Sequence, residues 1–102
     1  MSTNPVMVVT RDMYEAVYYL VNGATVESLE LVRENNQTIS KFTLSGEESL
    51  ALCQQSYFAG SATVNLYAFR RMYRRMMTMV TRAKTELKQK EKESKAVQGV
   101  QV

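Results

Sequence analysis

The chain has 102 residues, 45% of them hydrophobic and 23% charged, with one cysteine, no histidine and a formal net charge of +3. That length suits one small globular domain; the lone Cys53 excludes an internal disulfide, and without histidine no serine triad, Cys–His pair or ordinary zinc site can be assembled. No apolar run approaches the roughly 20 residues that span a bilayer, and the opening MSTNPVMVVT lacks the basic and apolar regions of a signal peptide, so the expectation is an intracellular (cytoplasmic), non-enzymatic protein with no cofactor and no metal.

Val6–Val9, VMVV, is a short, mostly β-branched run after Pro5 and predicts a strand. Thr10 offers an N-cap hydroxyl, and Asp12 opposes the helix dipole in a first turn. A helix is therefore predicted from Arg11, with Met13, Ala16, Val17 and Leu20 on one face and Tyr14, Tyr18 and Val21 widening it. Asn22-Gly23 predicts its end, because glycine accepts the left-handed conformation. Residues 24–34 and 38–44 are β-branched and partly alternating, and the turn Glu34-Asn35-Asn36-Gln37 joins them as a hairpin. The alternation is imperfect. Val26 and Val32 oppose the Leu29–Leu31 set, and Ile39 opposes Phe42, so either a bulge or a sheet covered on both faces is expected.

Ser45-Gly46-Glu47-Glu48 matches the capping box, S-x-x-E, and predicts a second helix to about Phe58 with Leu50, Cys53 and Tyr57 on one face. Cys53 reads as a small buried hydrophobe. Gly60 ends that helix, and residues 61–64 connect it to a third, capped by Asn65. The apolar positions of the third helix are Leu66, Phe69, Tyr73, Met76, Val80, Ala83 and Leu87, alternately three and four apart. Met72, Met77 and Met79 widen this seam to roughly 160° of arc. After Leu87 the apolar signal stops. Glu86 with Lys90, and Glu91 with Lys95, support an exposed helix to near Lys95, with disorder beyond. The expectation is a single α+β domain over residues 1–88, ordered β-α-β-β-α-α. It has a small three-stranded, largely antiparallel sheet, helices packed on it and a long C-terminal helix. Residues 89–102 form a charged helical extension and disordered tail.

Charge is unevenly divided. Arg70, Arg71, Arg74, Arg75, Arg82 and Lys84 place six bases within fifteen residues with no acid among them, while the rest of the chain carries seven bases and ten acids. The five arginines occupy roughly 140° of the third helix, opposite the seam. The plain alternative is a solvated helix side. Yet Arg70 with Arg74, and Arg71 with Arg75, crowd like charges at i, i+4, which weakens an isolated helix. An anionic partner offsets that cost, and the guanidinium fork suits phosphate. The candidate partners are nucleic acid (DNA or RNA), an acidic protein surface, or acids of a second copy such as Glu27, Glu30 and Glu34. An acidic surface would make the protein an interaction module, or an anti-defence inhibitor of a host nucleic-acid enzyme. Tyrosines and Phe58 near the arginines offer rings for stacking on unpaired bases; the plainer reading, which is preferred, makes Tyr14, Tyr18, Tyr57 and Tyr73 core with rim hydroxyls. A helix of about thirty residues is ~45 Å long, whereas a domain of this size has a radius of gyration near ~13 Å. Met76, Met79, Val80, Ala83 and Leu87 are therefore expected to find cover on another chain, as a homodimer.

Three segments carry a resemblance: TRDMYEAVYYLVNGA, FTLSGEESL and YFAGSATVNLYAFRRM. Over about residues 6–77 the layout resembles a family of short uncharacterised prokaryotic and phage proteins, a domain of unknown function. The resemblance implies a shared fold and a mobile-element setting. It carries over no functional residue.

Overall fold

The computed structural model describes residues 5–100, with side chains described through Lys92. The elements are β1 (Val6–Thr10), α1 (Met13–Val21), β2 (Thr25–Glu34), β3 (Gln37–Gly46), α2 (Ser49–Ala59) and α3 (Leu66–Val100). The strands form one antiparallel sheet in the order β1-β3-β2. The fold is α+β, with the predicted element order and a long C-terminal helix. Because β1 and β2 flank β3, α1 crosses β3 to connect them, and it packs on one face of the sheet.

The β2–β3 turn is tight because Asn35 and Asn36 both take positive φ, 52° and 65°. The irregular alternation resolves as a bulge. Val26 opposes Leu44 and Ser28 opposes Thr43, leaving Glu27 as the extra residue. Val26 and Leu29 thereby reach the same face, opposite Leu44 and Phe42, where Val8 and Thr10 join them from β1. Phe42, Leu44, Val8 and Thr10 are buried there under Ala16, Val17, Tyr18 and Tyr19 of α1, Leu50 of α2 and Met76 and Val80 of α3. Tyr18 and Tyr57 pack as expected of core. Tyr14 does not: it is mostly exposed, although its ring stacks on Phe69 and Tyr73. On the other face of the sheet Met7 and Val9 are exposed.

Two predicted caps are corrected. Thr10 is the last residue of β1, and Asp12 is the N-cap of α1, its carboxylate accepting from the Tyr14 N–H at 2.9 Å. The Ser45–Glu48 capping box does not form. Ser45 lies in the β3 ladder opposite Met7 and Thr25, and its hydroxyl donates to Glu27; Glu48 is the N-cap of α2 without a side-chain bond. Strand pairing on both sides of β3 claims Ser45 before a helix can. The glycine stops do form. Ala24 N–H bonds Tyr19 C=O and Gly23 N–H bonds Leu20 C=O, which is a Schellman motif; Ser61 and Gly60 repeat it on Ser56 and Tyr57.

α3 is ~52 Å long at 1.5 Å per residue, and the molecule extends 58 × 33 × 23 Å. The helix passes the predicted end near Lys95 and continues to Val100; the predicted tail at 101–102 lies outside the described residues. Contrary to the expectation that the helix projects from the body after Val80, the long β2–β3 hairpin runs alongside it as far as Leu87 and Glu91. Arg33 of β2 forms an ion pair with Glu91, and a cleft between the elements is lined by Arg33, Thr38, Lys84 and Leu87. Glu91 thus pairs across to the sheet, and Glu86–Lys90 is not among the ion pairs of the described residues. The Lys95 side chain lies outside those residues.

Candidate functional site

The rotation of α3 is set by what it buries. Met76 and Val80 are buried, Val80 to 4% exposure, and Phe69, Met72 and Tyr73 pack against the same core. Tyr14 of α1 stacks on Phe69 and Tyr73 at centroid distances of 6.2 and 5.9 Å, clamping the start of the helix. Asn65 caps it as predicted, its side-chain oxygen accepting from the Ala68 N–H at 3.0 Å. With that stripe turned inward, Arg70, Arg71, Arg74, Arg75 and Arg82 all emerge into solvent, as does Lys84.

The cations are not alike in their surroundings. Arg70, Arg71 and Arg74 rim one open recess of about 350 Å³ together with Tyr67. Arg75 turns to the flank, over a groove lined by Leu20, Val26, Met72 and Met79. Arg82 lies further along the helix beside Met77, Thr78 and Thr81. Lys84 sits apart from the arginines, in the cleft against the hairpin. The first three are therefore brought together and the others extend the face without joining the recess.

Among the described residues the ion pairs are Arg11 with Glu34, at 2.8 Å, and Arg33 with Glu91. None involves the arginine face. The chain has no acid from Ser49 to Thr85, so α3 has no carboxylate of its own within a helical turn of the recess. Of the acids considered as partners on a second copy, Glu34 is engaged by Arg11 and Glu27 by Ser45, while Glu30 stands opposite Lys41.

The proposed partner seam is divided. Met76 and Val80 are covered by this chain's own core, and Ala83 and Leu87 are half-buried beside the hairpin. The premise that Val80 needs a second chain is overturned, because it lies in this chain's own core. Met77 and Met79 are each 40% exposed, and Leu66, read as the first seam residue, is 71% exposed because it precedes the point where α1 meets the helix.

Tyr67 belongs to the site and was not singled out by the sequence reading. Its signal was present: it stands three, four and seven residues before Arg70, Arg71 and Arg74, hence on their face. Cys53 is half-buried against the core. Among the described residues no three His, Cys, Asp or Glu side chains are grouped to hold a metal ion, and no helix is long and apolar enough to cross a membrane. Compared with known proteins, the chain matches no family model, and no curated protein and no solved structure is significantly similar to it.

Proposed function

We propose that the protein is a non-enzymatic nucleic-acid-binding accessory protein, in keeping with a phage or mobile-element setting, that grips phosphates through Arg70, Arg71, Arg74, Arg75 and Arg82. One observation carries this reading. Arg11 and Arg33, elsewhere on the molecule, are neutralised by carboxylates, whereas the five arginines of α3 are exposed and in no ion pair among the described residues. A row of like charges at i, i+4 repels itself, and phosphates remove that repulsion while releasing their counterions. Arginine supplies the two-pronged donor that phosphate oxygens accept.

The test is a titration of labelled single-stranded and duplex DNA and RNA across salt concentration. If four or five arginines neutralise phosphates, log K falls against log salt with a slope of about −3 to −3.5 on single strands and about −3.5 to −4.5 on duplex. The double variant Arg74→Glu, Arg75→Glu should lose binding and flatten the slope, with its circular dichroism unchanged. No binding to any of these at low salt would overturn the proposal and leave an acidic protein surface as the occupant of the face.

A further inference from the structure

Tyr67 is 77% exposed, the most exposed large apolar side chain among the described residues. The chain has six tyrosines. Tyr14, Tyr18, Tyr19, Tyr57 and Tyr73 all pair with another ring; Tyr67 alone takes part in no aromatic pair among the described residues. It shares its recess with Arg70, Arg71 and Arg74 and nothing else. A flat, unpartnered ring surrounded by three unpaired guanidiniums matches one kind of ligand: a planar group flanked by its own negative charges.

Resting on the phosphate-binding role proposed above, we infer that α3 takes single-stranded nucleic acid, with an unpaired base stacked on Tyr67 and the neighbouring phosphates held by Arg70, Arg71 and Arg74. An acidic peptide satisfies the guanidiniums but leaves the ring without a planar partner. Duplex fits less well, because its bases are already stacked on each other, out of reach of a surface ring.

The experiment compares binding of a short oligoadenylate, in deoxy and ribo forms, with an abasic strand of equal length and with inorganic polyphosphate, at one low salt concentration. The wild type should prefer the base-bearing strands over the abasic one by roughly fivefold or more. Tyr67→Ala should erase that preference while leaving affinity for the abasic strand and polyphosphate unchanged; Tyr67→Phe, which keeps the ring, should retain it. Either sugar supports the assignment, and the tighter one identifies the natural strand. Equal wild-type affinity for base-bearing and abasic strands, or a preference that survives Tyr67→Ala, would overturn the stacking role and leave the arginine grip intact. Failure of the wild type to bind any of these polyanions would overturn both.

Discussion

The hydroxyl of Tyr19 donates to the buried carboxylate of Glu15 at 2.6 Å. The Thr10 hydroxyl donates to the same carboxylate at 2.7 Å, while accepting from the Asp12 N–H. One acid thus ties the end of β1 to the first two turns of α1. Replacing it by alanine leaves two buried hydroxyls without their acceptor. Glu15→Ala should lower stability by about 2–4 kcal/mol, and Glu15→Gln, which keeps an acceptor oxygen, by less. Urea midpoints at unchanged m-value measure this; an Ala variant as stable as the wild type would show the network to be dispensable.

Alkaline stability should follow Tyr57. Its hydroxyl donates to Asp12, and that bond, with burial, pushes its pKa from 10.0 up to about 12. Tyr19 is shifted the same way, by burial first and then by its bond to Glu15. A raised tyrosine pKa means the unfolded chain loses its proton first. The stabilisation is therefore complete below pH 10 and drains away between pH 10 and about 12. Tyr57→Phe should be less stable than wild type below pH 10, with a shallower decline above it. Denaturation midpoints across that range report both.

Val80 is a core residue of this chain. Val80→Glu buries an unpaired charge and should unfold the protein, and Met76→Ala should cost about 2–5 kcal/mol through the cavity it leaves. Light scattering with circular dichroism separates this from a dimer contact. A folded Val80→Glu protein of reduced mass would return Val80 to an interface.

Glu27 is exposed and is the extra residue of the bulge. Deleting it leaves Val26 opposite Leu44 and Ser28 opposite Thr43 in a regular ladder, so Leu29, now two positions after Val26, stays opposite Phe42 on the core face. The deletion variant should therefore keep cooperative unfolding, and Glu27→Ala should change stability by under ~1 kcal/mol; urea unfolding curves check both, and a deletion variant that unfolds without a cooperative transition would show that the bulge itself is required.

Lys84 is separated from the arginine recess by the turn of the helix toward the hairpin. Lys84→Glu should weaken binding of single strands less than Arg74→Glu does, measured as the difference in log K at equal salt. An equal or larger effect would move the centre of the interface toward the hairpin cleft.

Much of this molecule was legible from local rules. The glycine stops at Gly23 and Gly60, the Asn35-Asn36 turn and the cap at Asn65 each depend on residues within one turn of each other. The outward arginines follow from the 3.6-residue period alone, since burying Met76 and Val80 leaves Arg71, Arg74 and Arg82 nowhere else to go. Contacts between distant segments decided the rest. Ser45 could have capped a helix, but Met7 and Thr25 pair with it from both sides. Val80 found cover in the common core, and Leu87 beside a hairpin some fifty residues earlier in the chain. The isolation of Tyr67 became visible only once Tyr14 was seen to stack on Phe69 and Tyr73 instead. Backbone preference and periodicity act over a few residues and are written in the chain; which greasy or polar group meets which is a property of three-dimensional proximity, and only the folded molecule supplies it.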